Sequence, residues 1–512
     1  MVEILGLLID GFGIALQPLN LFLIILGCAV GLFIGAMPGL GSVNGVAILL
    51  PLTFIVPPTG AIIFLAALYY GAMYGGAISS IMLGIPGAST AVATTFDGRP
   101  MAKAGLADKA LVAAAFASFV GGTISIILFT VAAPPLAHVA LVFGAPETFA
   151  LMMLAFATFI GLGGDDIWKT LFSICIGLVL AAIGTDIISG EPRLQLFELS
   201  GFYSNVHFLV LAIGIYGIGE MLWTIDENAR SGGKSMLSEA KFSLRRILQH
   251  LRDLLRTWKV ALMGSTLGYF VGILPAAGAT PGSLMAYGIA KQMSSEPETF
   301  GKGNPEGVVA PEAANNAAST GSMLPMLTLG IPGSPTTAIL LGGMVIWGLE
   351  PGPRLFTDQK DFVWGLIASL YAANFFALIL NIVMIPAFIA VLRLPFTVLA
   401  PIIFVLCLIG GFAPTSRMFD VWLMLVFGFV GYLLRKLDYP VAPAVLAIVL
   451  GPMTEPALRQ SLLISGGDFS IFFTRSFSGP IMIAAIILLL LPLAGLVMRR
   501  LRGGQAASNP QG

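Results

Sequence analysis

Leu83-Gly84-Ile85-Pro86-Gly87-Ala88-Ser89-Thr90 returns, almost unchanged, as Leu329-Gly330-Ile331-Pro332-Gly333-Ser334-Pro335-Thr336. Both copies are helix breakers embedded in apolar sequence. A second pair precedes them in the same order, Phe33-Ile34-Gly35-Ala36-Met37-Pro38-Gly39-Leu40-Gly41 and Phe270-Val271-Gly272-Ile273-Leu274-Pro275-Ala276-Ala277-Gly278. Two elements recurring in one order imply an internal duplication. Backbone released from helical bonding survives at membrane depth only where it is buried in protein or lines a polar cavity, and breaks at matched positions of two halves point to a transporter's substrate site.

Composition places the chain in lipid. Hydrophobic residues make up 57% of the 512 positions and charged residues 10%, against roughly 25% charged in soluble proteins. Continuous apolar runs, several near the roughly 20 residues a bilayer crossing needs, predict an all-α polytopic membrane protein with about 10 to 12 membrane segments, some re-entrant. A transmembrane β-barrel would alternate apolar and polar residues, and these runs do not. The formal net charge is zero, but no Lys or Arg precedes Arg99, whereas Arg230, Lys234, Lys241, Arg245, Arg246, Arg252, Arg256 and Lys259 crowd one connection. The positive-inside rule makes that connection cytoplasmic, together with a tail bearing Arg499, Arg500 and Arg502. Interspersed Glu227, Glu239 and Asp253, without stacking aromatics, argue against a nucleic-acid patch. The N-terminus carries Glu3 and Asp10 rather than a basic signal-peptide start. Cys28, Cys175 and Cys407 stand alone, as do His138, His207 and His250, so no disulfide framework, metal site or resident cofactor is expected.

Each half reads as a motif-rich module followed by a motif-poor one. A hairpin turning at Pro38 and Gly39, a small-residue helix over 60–75, the break at Pro86 and Gly87, and a basic loop with Asp97, Arg99, Lys103 and Lys109 make up a first transport module, 1–108. Residues 109–225 read as scaffold helices, and 226–257 as the basic connection. A second transport module, 258–355, repeats the plan with a tip at Pro275 to Gly278, a polar stretch to about 305, a small-residue helix around 307–325 and the break at Pro332 and Gly333; 356–512 is again scaffold and tail. The sequence leaves the parity of crossings, and so inversion of the halves, open.

Candidate site residues follow from these breaks. No Lys or Arg lies within the tips or breaks, so an anion there would rely on helix N-termini, each with about half a positive charge, and on hydroxyl or amide donors beside them. Ser42, Asn44, Ser89, Thr90, Thr280, Ser283, Ser334, Thr336 and Thr337 occupy such positions and are the substrate-binding candidates; the competing role is capping of their own helices. Carbonyls at Gly84, Ile85, Gly330 and Ile331 could coordinate a hard coupling cation. Glu312, Asn315 and Asn316, at i, i+3 and i+4 spacing, form a second candidate cation group, since an ionisable group at membrane depth is costly; a solvated interfacial Glu is the plainer alternative. Asp97 and Arg99 read as a surface pair fixing a loop.

Tyr70-Gly71-Ala72-Met73-Tyr74-Gly75-Gly76, Leu83 to Gly87 followed by Asp97-Gly98-Arg99-Pro100-Met101-Ala102-Lys103, and Phe300-Gly301-Lys302-Gly303 leading into Glu306-Gly307-Val308-Val309-Ala310-Pro311-Glu312-Ala313-Ala314-Asn315-Asn316-Ala317 together resemble the TctA-type large permease subunit of the bacterial tripartite tricarboxylate transporter family. The resemblance runs over nearly the whole chain. It implies an inner-membrane protein with a small membrane subunit (TctB-like) and a periplasmic solute-binding protein (TctC-like) as partners, importing a carboxylate on a sodium or proton gradient. Likeness to other ion-coupled anion transporters with paired hairpins implies an inverted two-fold repeat and elevator-like motion. No nucleotide-binding GxxxxGK[ST] motif occurs. A stand-alone organic-anion channel or facilitator is the rival reading, and an intramembrane enzyme a further one; the histidines lie far in sequence from every duplicated motif.

Overall fold

The computed structural model describes residues 2–37, 40–162, 166–185, 191–193, 208–231, 244–275, 277–385, 387–388, 396–412 and 416–490. In chain order the helices are α1 (Val2–Ala15), α2 (Pro18–Ala36), α3 (Gly41–Leu49), α4 (Pro58–Met82), α5 (Val92–Lys103), α6 (Ala107–Ala140), α7 (Ala145–Leu162) and α8 (Ile167–Ala181). After a ribbon of two-residue strands come α9 (Phe208–Ala212), which runs through a π turn into α10 (Gly219–Ser231), then α11 (Leu244–Leu254), α12 (Trp258–Ile273), α13 (Ala279–Met293), α14 (Glu306–Leu329), α15 (Pro335–Ile346), α16 (Leu355–Asp358) and α17 (Lys360–Val383). Helices Phe396–Phe412, Met418–Lys436 and Val441–Ile464 follow. Six of the described helices are long and apolar enough to cross a bilayer: α2, α4, α6, α17, Met418–Lys436 and Val441–Ile464. The fold is an all-α polytopic membrane protein.

By its internal contacts the chain divides into two units, Met1–Leu141 with His207–Leu274 and Gly278–Leu437, and Val142–Val206 with Pro275–Ala277 and Asp438–Gly512. In the second unit α8 starts on an Asp166 cap that accepts from the backbone of Trp168 and Lys169 at 3.0 and 3.2 Å. There the buried Glu147 accepts from Arg475 Nε at 2.7 Å, and Arg193 donates from Nη1 and Nη2 to the two carboxylate oxygens of Glu455, at 2.6 and 2.9 Å.

The duplication organises the first unit. α2 lies on α4, and α12 on α14, through the same glycine series. A methyl added at Gly27, Gly31 or Gly35 would lie 2.5, 2.2 or 2.2 Å from the carbonyl oxygens of Phe64, Leu68 and Ala72. The matched Gly264, Gly268 and Gly272 would meet those of Ala310, Ala314 and Ala318 at 2.6, 2.2 and 2.4 Å. Glycine at every fourth position leaves one bare stripe along a helix, which lets two backbones touch in lipid, where apolar side chains gain little from meeting each other. Both inner helices are enclosed by protein: α4 is buried from Gly60 to Met82 and α14 from Gly307 to Thr328. The latter can therefore carry Glu312, Asn315, Asn316, Ser319, Thr320 and Ser322, none of them solvent-exposed.

Two expectations about this unit are corrected. Val92–Lys103 is helix rather than loop, despite Gly98 and Pro100; Ala93, Thr94, Asp97 and Met101 bury one helical face, and that burial outweighs the two poor helix formers. The stretch after the second tip is also helical to Met293, so the polar connection begins only at Ser294. Of the basic connection, α11 places Arg246 Nη1 and His250 Nε2 at 3.4 and 3.1 Å from Asp108 Oδ2. Lys234, Lys241, Arg499, Arg500 and Arg502 lie outside the described residues.

Candidate functional site

The two matched turns in each half place glycine at the same left-handed position. Gly41 and Gly278, which open α3 and α13, have φ of 58° and 67°, and Gly84 and Gly330, at the ends of α4 and α14, have φ of 76° and 72°. Only glycine enters that region without a Cβ clash. Beyond each turn Pro86 and Pro332 offer no N–H, so neither helix continues. Each break then folds back on its own hairpin. A methyl at Gly87 would lie 1.9 Å from the carbonyl oxygen of Gly35, and one at Gly333 2.8 Å from that of Gly272. Gly278 N–H donates to Gly333 O at 2.9 Å. Pro38 and Gly39 lie outside the described residues; Pro275 follows the end of α12 in the turn toward α13.

The halves also meet crosswise. Ser42, at the start of α3, pairs with Thr336, at the start of α15, at 3.0 Å. Reciprocally, Ser89 pairs with Thr280 at 3.1 Å, and Ser283 Oγ donates to Thr90 O at 2.8 Å. Hairpin one thus reaches break two, and hairpin two reaches break one. Asn44 is buried on the first turn of α3. Ser334 and Thr337 behave as the capping alternative anticipated: Thr337 N–H donates to Ser334 Oγ at 3.2 Å and Ser334 N–H to Thr337 Oγ1 at 2.9 Å, a reciprocal capping box on α15. Two residues that sequence reasoning passed over join this cluster. Tyr69 OH lies 3.3 Å from Ser334 Oγ and 3.4 Å from Ser322 Oγ, all buried. Both stand on helices whose apolar and small-residue pattern reads as packing, and only the fold shows that they face a break.

The reading of the breaks as free of basic groups is corrected. Arg99 reaches back from α5, donating from Nη1 to Met82 O at 2.5 Å, and its Cγ would lie 3.0 Å from a methyl at Gly84. A guanidinium therefore serves the C-terminal end of α4, where helix carbonyls concentrate negative potential. Asp97 is no surface residue either; it is fully buried. Its Oδ1 accepts backbone N–H groups of Gly301, Gly303 and Asn304 at 2.9, 2.8 and 2.8 Å, and its Oδ2 the Tyr287 hydroxyl at 2.9 Å. One carboxylate from the first half thus gathers the turn that begins α14 in the second.

Glu312 sits within α14 with no exposure, so it is not the solvated Glu of the plainer alternative. Thr94 Oγ1 of α5 donates to Oε1, and Ser118 Oγ of α6 to Oε2 at 3.3 Å. Asn316 Nδ2 donates to Ser118 Oγ at 2.7 Å and to the Glu312 carbonyl at 3.1 Å, while Asn315 Nδ2 donates to Met73 O at 3.4 Å. Both amide oxygens, Asn315 Oδ1 and Asn316 Oδ1, are buried without a hydrogen-bond partner among the described residues. Glu312 and Gly330 are separated by roughly 27 Å of helix at 1.5 Å per residue. A single ion cannot be held by both, so the candidate coupling-ion residues do not form one site.

No solved structure matches the chain. It is 36% identical over 496 residues, 96% of its length and 97% of the relative's, to an uncharacterized 52.8 kDa protein in the TAR-I ttuC' 3' region of Agrobacterium vitis. To an uncharacterized protein in the TAR-II ttuC' 3' region of the same organism it is 38% identical over 228 residues, 44% of this chain and 94% of that one. Residues 21–446 match the tripartite tricarboxylate transporter TctA family, an interval that holds both tips, both breaks and the Glu312 cluster. The chain belongs to that family, and is a membrane transport component built from two copies of a hairpin and a broken helix.

Proposed function

We propose that the chain is the large permease subunit of a binding-protein-dependent secondary transporter, importing an organic carboxylate on a sodium or proton gradient. The observation that carries this reading is the crossed meeting of tips and breaks. Helix N-termini and hydroxyls of both halves converge there, an arrangement suited to a carboxylate, which accepts hydrogen bonds and is stabilised by the positive ends of helices. Arg99 at the first break adds a cation nearby. Support for the partners, a TctB-like small membrane subunit and a TctC-like periplasmic binding protein, and for an inner-membrane location comes from family membership. A hairpin on each side of one site favours alternating closure over a continuous pore, and an elevator-like movement of the motif-bearing helices is the form of it we adopt.

Vesicles containing this chain, the small subunit and the binding protein should accumulate a tricarboxylate or related acid only when a sodium or proton gradient is imposed and the binding protein is present. Uptake at full rate without the gradient would return the chain to the channel or facilitator class.

A further inference from the structure

Glu312 is a buried acid whose carboxylate, among the described residues, accepts hydrogen bonds from a threonine and a serine rather than from a lysine or arginine. An isolated carboxylate in such surroundings is costly unless a cation neutralises it. The amide orientations beside it are set by what the nitrogens do. Asn316 Nδ2 is used by Ser118 and the Glu312 carbonyl, and Asn315 Nδ2 by Met73. The oxygens are the ends left over, and among the described residues neither has a donor. A buried acceptor without a donor is costly, so two within one turn of the same acid call for a ligand that oxygen atoms can satisfy.

A proton on Glu312 would neutralise the carboxyl but could supply its one O–H to only one of the two amide oxygens. A metal cation accepts several oxygens at once. The available set is one carboxylate, two amide oxygens and the hydroxyls of Thr94 and Ser118: all hard, with a single formal negative charge and no nitrogen or sulfur. One negative charge balances a monovalent ion. The carbonyls of Gly330 and Ile331 do not join this set, because roughly 27 Å of helix separates them from Glu312.

Resting on the reading of the chain as a cation-coupled permease, we propose that Glu312, Asn315 and Asn316 of α14, with Thr94 of α5 and Ser118 of α6, form a sodium site. Its ligands come from both halves of the duplication, so filling it ties the helix after the first break to the buried helix of the second. A coupling ion requires such a tie, since it must favour one arrangement of the halves over another.

Sodium binding to the purified chain tests this without substrate or partners. Thermal unfolding in detergent at fixed ionic strength, with sodium replacing choline, should show a saturable rise in Tm, and calorimetric titration should give the matching Kd. Glu312→Gln and Asn315→Ala should each weaken sodium at least tenfold while unfolding in choline near the wild-type temperature. Should either fail to fold, Ser118→Ala should still weaken it measurably. Absence of saturable sodium stabilisation, equal affinity in wild type and variants, or stabilisation that follows pH from 5 to 9 while ignoring sodium would overturn the site. Uptake in vesicles is measured separately, so loss of the sodium site and loss of the transport reading remain distinguishable.

Discussion

Thr336 and Ser334 stand two residues apart at the start of α15 and do different work. Ser334 spends its hydroxyl on the capping box, so Ser334→Ala should cost about 1 kcal/mol of stability and change carboxylate affinity less than about threefold. Thr336 reaches across to Ser42, at 3.0 Å, where the two halves meet. If a carboxylate takes that bond during transport, Thr336→Val should lower affinity by roughly 10 to 150-fold, the equivalent of about 1.5 to 3 kcal/mol for a charge-assisted hydrogen bond. Titration calorimetry with the candidate acid, alongside Tm for each variant, separates these; unchanged affinity in Thr336→Val would remove the crossed pair from the binding surface. The hydroxyls beside the breaks were legible only as a pair of alternatives, ligand donor or helix cap, and Ser334 and Thr337 prove to be caps. Tyr69 and Ser322 were not, since nothing local distinguishes a packed tyrosine from one aimed at a break more than 250 residues away. Asp97 failed for the same reason. Asp-Gly-Arg-Pro is turn chemistry by composition, and what holds it helical is a burial face and three N–H donors from beyond residue 300.

At the scale of elements, the duplication was readable from the breakers, and the glycine stripes make it a physical constraint on packing. Gly31 and Gly268 are matched positions, and at each an added methyl falls 2.2 Å from a partner carbonyl. Gly31→Ala and Gly268→Ala must therefore push α2 from α4, or α12 from α14, at a cost of about 1 to 3 kcal/mol each. A methyl added at Gly288, on α13, would meet nothing among the described residues within 4 Å, so Gly288→Ala should be neutral or stabilising by up to about 1 kcal/mol through helix propensity. Differential scanning calorimetry in detergent compares the three. Equal stability across all of them would mean that the close backbone contact contributes nothing. Helix ends were less legible than breaks. Gly84 and Gly330 announce themselves, whereas α13 continues past its polar surface to Met293 because Ala286 and Ala290 pack with Phe300, Ala310 and Ala314.

In the first unit as a whole, the matched breaks differ in access. Ile85 is 53% exposed, and its counterpart Ile331 is 1% exposed. Ser89 is likewise exposed, while Ser42, Ser334 and Thr336 are buried. A two-fold repeat whose halves have like sequences and unlike exposure is what one end state of an alternating pair looks like: if the halves exchange environments, the covered break becomes the open one. Sequence cannot show this, because any two conformations of one chain share it. Cysteine labelling can. Cys28 and Cys407 are buried and Cys175 is exposed, so a Cys175→Ser background leaves little native reactivity. In the state described, Ser89→Cys should react with a membrane-impermeant maleimide at least tenfold faster than Thr336→Cys. Imposing the coupling gradient with substrate present should slow the first and speed the second, as populations shift toward the opposite arrangement. Rates that keep their order under every gradient and ligand condition would indicate a fixed structure, and the asymmetry between Ile85 and Ile331 would then be a permanent difference between the repeats.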